Sequence, residues 1–228
     1  MKNDEPNSRD IQVLANDQIK AALRAAKEVD EAGNWDGDLH RLMVALASTG
    51  ARFSQAARID RKGAFRQRRV NRTTGVEQTD CVIMVPASRK GKGGKVEPPT
   101  KRIVMASDFE ILISGPDTDP NGPLFQRWKN EEISPTVWTR GGRAAWYHAS
   151  EITRPWRQIV KRARLPKHTV PYAFRHSSIV RHLQAGLPVT LVAALHDTSP
   201  LMVQKHYGAF IVDASDDIIA ASMVSVAG

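Results

Sequence analysis

The chain predicts a mostly helical α+β fold with one small antiparallel β-sheet near residues 64–105, on three observations. Apolar residues recur at helical spacing before residue 60 and again beyond residue 150. Between these stretches, over 64–105, short runs of β character are separated by turn-forming residues. With 228 residues and 41% hydrophobic content, the chain is long enough for one substantial core, so a single domain is expected over residues 11–224.

The elements follow in order. Residues 1–10 are polar and read as a disordered lead. Asn16 is a candidate cap for a helix whose Ile19, Ala22, Leu23, Ala26 and Val29 share a face and which ends near Gly33. A second helix starts at Asp38, with Leu39, Leu42, Met43 and Leu46 as its stripe, until Thr49-Gly50 interrupts it. A short helix over 53–59 then places Arg52 at a helix-to-helix joint. Strands are expected at Ala64–Val70, Cys81–Pro86 and Arg102–Met105, with a turn over Asn71–Gly75. The glycine-rich, basic stretch from Ser88 to Lys95 reads as a cationic loop on the second hairpin. Residues 114–123 carry three prolines and read as a linker-like surface loop, while 139–150 fits no single class. Helices return over 151–164 and 172–184, then from Pro188 to Leu195, and again from Ser199-Pro200, a capping hydroxyl followed by proline in the first turn. Residues 209–224 suit a C-terminal helix that packs on this molecule or on a neighbour.

Several function classes are disfavoured. No stretch reaches the roughly 20 apolar residues of a membrane span, and Met1-Lys2-Asn3-Asp4-Glu5 lacks the apolar run of a signal peptide, so a cytoplasmic protein is expected. The single cysteine, Cys81, forms no intramolecular disulfide and sits among apolar neighbours as a buried strand residue would. His176 and His182 are six apart and share no helical face as a metal pair. Gly91-Lys92-Gly93-Gly94-Lys95 lacks the spacing of a phosphate-binding P-loop, and no G-x-S-x-G elbow occurs. No cofactor or metal is implied.

Charge is unevenly distributed. Of the net +9, residues 61–102 and 127–181 each contribute +9, with 12 basic and 3 acidic side chains apiece, while the remainder sums to −9. Such blocks suit a face that follows phosphate backbones, against the ordinary reading of a solvated surface with ion pairs.

Three sequence boxes then stand out: Thr49-Gly50-Ala51-Arg52, Tyr172-Ala173-Phe174-Arg175-His176-Ser177, and Ala194-Leu195-His196-Asp197-Thr198-Ser199 leading to Tyr207. Singly, each residue has an ordinary reading, as a surface arginine, a packing tyrosine or a helix-end histidine. Jointly, their order resembles the tyrosine recombinases, the phage-integrase family, over most of the chain from Val13 to Ile211. The resemblance implies that family's catalytic-domain fold and site-specific cleavage and rejoining of double-stranded DNA through a 3′-phosphotyrosyl link, without metal or ATP. By that resemblance Arg52 and Arg175 clamp the phosphate, Tyr207 attacks it, and His196 assists. A lysine protonates the departing 5′ oxygen; Lys92, flanked by glycines, is preferred, with Lys90 close behind and Lys95 third. The clamp suits arginine, which stays charged and donates in a planar fork.

This chain departs from the family pattern at four points. Tyr172 occupies the usual histidine position, where its hydroxyl can donate to phosphate but cannot replace an imidazole near neutral pH. Gln55 stands where an acidic residue is common. His196 lies farther from Tyr207 than usual, so either it reaches in from the preceding turn or Thr198 takes its role. The lysine is one of three candidates. Family members also carry an N-terminal helical domain that closes a clamp on DNA. None is expected here ahead of Val13, which predicts weak, salt-sensitive binding. Recombinase protomers assembling on DNA, as a tetramer in synapsis, are the expected partners. The alternatives are a DNA-binding module of the same fold that has lost catalysis, a type IB topoisomerase-like relaxase, and a basic scaffold protein.

Overall fold

The computed structural model describes residues 11–88, 98–116, 119, 121–212, 219–220 and 223. The expected lead over 1–10, the candidate lysines Lys90, Lys92 and Lys95, and most of the expected C-terminal helix lie outside the described residues.

Two helices in contact, α1 (Asn16–Ala32) and α2 (Asp38–Thr49), open the fold. The stripe of α1 is buried at Ile19, Ala22, Ala26 and Val29, while α2 is buried almost all round because other elements cover it on several sides. Asn16 is the first helical residue rather than the cap: Ala15 holds that position, and its backbone N–H donates to Oε1 of Gln18 at 2.9 Å. The turn between the helices is fixed from below by Asp30. Its Oδ1 accepts from the Gly37 N–H at 2.7 Å and its Oδ2 from the His40 N–H at 2.9 Å, so a side chain of α1 satisfies donors at the start of α2. The short α3 (Phe53–Ala56) follows.

Strands β1 (Ala64–Val70), β2 (Glu77–Val85) and β3 (Thr100–Val104) form the expected antiparallel sheet in the order β1-β2-β3. Ile83 pairs with Ala64 on one side and Arg102 on the other. Three consecutive residues of β2, Cys81, Val82 and Ile83, are buried, so this central strand is covered on both faces and Cys81 is a core residue. Helix α4 (Ala106–Ile113) comes next, contributing buried Phe109 and Leu112.

A second antiparallel pair, β4 (Gln126–Ser134) with β5 (Val137–Ala145), resolves the segment whose sequence fitted no single class. Its strands carry charged and polar residues on both faces, so no period-two apolar alternation marks them. Aromatic and cationic contacts add to its backbone pairing. The Arg140 and Arg143 guanidiniums lie 5.6 and 4.8 Å from the Trp128 ring, and beyond its base Trp146 stacks on Trp35 with centroids 5.7 Å apart.

The chain finishes with α5 (Thr153–Arg162), α6 (Ala173–Gln184), α7 (Val189–Leu195) and α8 (Pro200–Val212). Ser199 caps α8 as its sequence suggests, Oγ accepting the Met202 N–H at 3.2 Å. One hydrophobic cluster joins α1 to α5 and the three-stranded sheet; a second lies between α6, α7 and α8 and includes Ile179, Val192, Val203 and Tyr207. Among the described residues, no helix is long and apolar enough to cross a membrane.

Asp30→Ala leaves two part-buried backbone donors without their acceptor and is expected to cost about 1 kcal/mol. Urea denaturation checks this, and an unchanged midpoint would contradict the capping role.

Candidate active site

The site begins where α2 stops. Gly50 closes that helix in the left-handed region with φ of 63°, and a Cβ there would lie 2.7 Å from Oγ of Ser178 and 2.8 Å from Nε2 of His196. Only glycine fits both the backbone angle and the space. Two residues on, Arg52 turns extended at the N-cap of α3, with its N–H donating to Oε1 of Gln55 at 3.0 Å. The Arg52 Nη1 donates to Oγ of Ser88 at 2.8 Å and contacts the carbonyl and Oδ2 of Asp197 at 3.2 and 3.3 Å. All three contacts fall on one nitrogen, and the side chain stays 29% exposed.

Arg175 enters from α6 and is only 2% exposed. Its Nη1 donates to the Gly50 carbonyl at 3.0 Å and its Nη2 to the His196 carbonyl. Gly50 and His196 are the C-caps of α2 and α7, so two helix ends with partial negative charge face this buried cation. Burial and the neighbouring Arg52 hold the guanidinium below its ordinary pKa, while Tyr172 and Tyr207 act the other way; an arginine there remains charged. A further buried arginine, Arg102 of β3, stands near Arg175 and Asp197. Burial, then Arg175, depress its pKa to about 9.

His196 joins the site through its backbone. Its ring is fully buried, with Nδ1 3.0 Å from the Val192 carbonyl and Nε2 3.1 Å from Oγ of Ser178. A carbonyl only accepts, so Nδ1 carries the proton and Nε2 accepts from the serine. Burial first, then Arg102 and Arg175, push its pKa down to about 2, which keeps the ring neutral. The expected assisting histidine is thus turned inward, behind Gly50. Thr198 lines a groove with Ala87, Pro98 and Asp197.

Asp197 is the residue that sequence reasoning passed over. It follows the C-cap of α7 with φ of 46°, a left-handed position usually taken by glycine, while Thr198 N–H reaches back to the Ala193 carbonyl at 3.0 Å. Its Oδ2 accepts from the Ser88 N–H at 2.8 Å and from Nε2 of Gln55 at 3.2 Å, besides meeting Arg52. Gln55, buried, also donates to the Pro86 carbonyl at 2.9 Å. The carboxylate absent at position 55 is supplied from the end of α7. The only signal in the sequence was an aspartate where a helix-ending glycine would ordinarily stand.

Tyr207 lies on α8 with its ring in the second hydrophobic cluster. Its hydroxyl is 2.6 Å from Nδ1 of His176, which stands beside Arg175 in the second sequence box and whose spacing from His182 argues against a metal pair. Burial, then Tyr172, push the phenol up to about 12, with Arg175 and Arg52 pulling it the other way. Burial, Arg175 and His206 push His176 down to about 4. Tyr172, 41% exposed, packs edge-on against the His176 ring at 4.9 Å and lies under the Arg175 guanidinium at 5.9 Å.

The structure therefore brings Arg52, Tyr172, Arg175 and Tyr207 together, with His196 behind them and Asp197, Ser88 and His176 added. Ser88 is the last described residue before 89–97, and both its N–H and its hydroxyl are engaged at Arg52 and Asp197. The charge blocks are partly neutralised in space. Arg66, Arg140, Arg143 and Arg162 pair with Glu110, Asp36, Asp38 and Glu28 respectively, all acids from outside the two blocks.

No protein-family model matches this chain, and neither does any curated protein sequence. Solved structures do. XerA recombinase aligns with a TM-score of 0.59 at 18% identity, covering 96% of this chain and 68% of its own. XerH site-specific recombinase bound to palindromic difH substrate, a post-cleavage complex, aligns with a TM-score of 0.58 at 19% identity over 97% of this chain and 55% of its own. A Tn1549 transposon integrase in complex with a circular intermediate DNA gives 0.55 at 16% identity over 96% of this chain and 68% of its own. The fold is that of a tyrosine recombinase catalytic domain. This chain spans about half the length of the XerH chains it matches.

Within that fold, the site offers two fixed cations, a phenol and an inward histidine, held by the ends of α2 and α7. Gly50→Ala forces a methyl group against Ser178 and His196 and strains the backbone, so a loss of about 1–3 kcal/mol is expected. Chemical denaturation measures it; a variant as stable as the parent would contradict this packing.

Proposed function

We propose that this chain cleaves and rejoins DNA strands during site-specific recombination or integration, with Tyr207 as nucleophile. The observation that carries the reading is the convergence of Arg52, Arg175 and Tyr207, from three separate segments, in a chain with the recombinase catalytic-domain fold. The names of the aligned structures support DNA as substrate, since XerH is described with its difH substrate and the Tn1549 integrase with transposon and circular-intermediate DNA.

Arg52 and Arg175 donate to the non-bridging oxygens and stabilise the negative charge that grows on them in the phosphorane. Tyr207 attacks phosphorus, giving a 3′-phosphotyrosyl link and a 5′ hydroxyl, and the stored ester energy drives rejoining without ATP. Lys92 or Lys90 protonates the leaving 5′ oxygen; the anchoring of Ser88 at Arg52 supports a role here for the segment that follows it. Asp197 orients Arg52, and the buried His196 holds Arg175 through its carbonyl. Tyr172 offers a hydroxyl at the rim of the phosphate site. Further protomers on the same DNA would complete a synapse.

A pool of nicked duplexes of randomised sequence, in which the cleaved end diffuses away, traps such an enzyme covalently. Wild type is expected to trap and Tyr207→Phe to give no adduct; equal trapping by both overturns the assignment. Arg52→Ala and Arg175→Ala are each expected to slow trapping by about 10²–10³-fold. Binding to DNA, measured by titration at several salt concentrations, should weaken steeply as salt rises, and salt-independent affinity would contradict a phosphate-tracking surface.

A further inference from the structure

We infer that His176 is the proton acceptor for Tyr207, taking the hydroxyl proton on Nδ1 as the phenol oxygen bonds to phosphorus. This rests on the reading of Tyr207 as nucleophile. The two groups are already in contact at 2.6 Å, and no other hydrogen bond engages the Tyr207 hydroxyl among the described residues. A buried phenol O–H needs an acceptor, and a neutral imidazole with its proton on Nε2 provides one at Nδ1. Tyr172 packs edge-on against the imidazole and holds its plane, with ring centroids 4.9 Å apart. An imidazole missing at position 172 is therefore supplied one helical turn farther along α6, at 176, where it reaches the nucleophile itself.

The titratable and charged groups facing this ring are Tyr172 and Arg175 from its own helix and the residue before it, and Tyr207 and His206 from α8. Arg175 and His206 disfavour an imidazolium, and burial adds to them, so His176 is neutral at physiological pH and ready to accept. The phenol, raised to about 12, keeps its proton until reaction begins. A phosphodiester seated between Arg52 and Arg175 brings a negative charge beside the imidazole and favours its protonated form. Proton transfer then accompanies bond formation, as in general base catalysis.

The step balances. The Tyr207 O–H proton passes to His176 Nδ1, the tyrosine oxygen bonds to phosphorus, the bond to the 5′ oxygen breaks, and that oxygen takes a proton from the lysine proposed above. In rejoining, the 5′ hydroxyl attacks phosphorus and returns a proton to the lysine. The phosphotyrosyl bond breaks, and His176 hands its proton back to the phenolate.

Single-turnover trapping of the nicked-duplex pool by wild type and His176→Gln, followed against pH, tests this. Glutamine keeps a hydrogen-bonding group but cannot take up the proton. Wild type should trap at a nearly constant rate from about pH 6 to about pH 9, while His176→Gln should be about 10²–10⁴-fold slower near neutrality and gain about tenfold per pH unit as phenolate replaces the missing base. A duplex with sulfur in place of the bridging 5′ oxygen, a leaving group that needs no acid, should leave the His176→Gln deficit intact. Equal rates and equal pH profiles overturn the inference, as does recovery of His176→Gln on the sulfur substrate, which would place His176 at the leaving group. In the unaltered protein, ¹⁵N chemical shifts should show His176 with Nδ1 unprotonated and Nε2 protonated; the opposite tautomer overturns the inference even if the variant does not fold. Adduct formation lost in Tyr207→Phe but indifferent to His176→Gln removes this step alone. No adduct from wild type removes the Tyr207 reading and this step with it.

Discussion

A buried guanidinium bonded to the ends of two helices organises this molecule. Arg175 donates to the carbonyls of Gly50 and His196, and so ties α6 to the joint between α2 and α3 and to the joint between α7 and α8. Removing an arginine from water is costly unless its donors are met and its charge is opposed. Here helix C-termini meet the donors, and their dipoles oppose the charge. Because the carbonyls belong to C-caps, the cation ties the ends of the two helices to each other. Arg52 emerges two residues past one stop and Asp197 one residue past the other, which is why they meet. Tyr207 follows on α8 and packs its ring into the cluster that α6 and α7 share.

Asp197 shows how a constraint can move in sequence and stay in place. Its carboxylate meets the Arg52 guanidinium and accepts the N–H of Ser88, the last described residue before the candidate lysines. Position 55, one turn into α3, holds glutamine instead. The acid comes from a left-handed residue at the end of α7, and the Gln55 amide bridges to it. An aspartate held at φ of 46° is conformationally unfavourable, and the bonds that its carboxylate accepts from Arg52, Gln55 and the Ser88 N–H offset that cost.

Much of this architecture was legible in the residues. The stripes of α1 and α2, the three strands around Cys81 and the Ser199 cap of α8 rest on local periodicity and capping, which act over a few residues. Arg52, Arg175 and Tyr207 stood out in sequence because few residue types suit the holding or attack of a phosphate, the chemistry proposed for them. The β4–β5 pair was not legible, since its side-chain contacts are arginines lying over Trp128 and ion pairs to Asp36 and Asp38, far away in sequence. Asp197 and His176 were missed for a related reason: their roles depend on a backbone angle and on a contact between two helices. His196 lies next to the site, but its buried ring meets Ser178 and the Val192 carbonyl, an orientation that its place in the chain does not reveal.

The central claim is that Arg52 and Arg175 form one phosphate cradle facing Tyr207. A crystal structure of wild type with a nicked duplex and orthovanadate tests it most directly, since vanadate adopts the five-coordinate geometry of the phosphorane. The account predicts vanadium bonded to the Tyr207 oxygen, with donors from Arg52 and Arg175 on its equatorial oxygens. Vanadate bound elsewhere, with Arg52 still engaged only by Asp197 and Ser88, would contradict it.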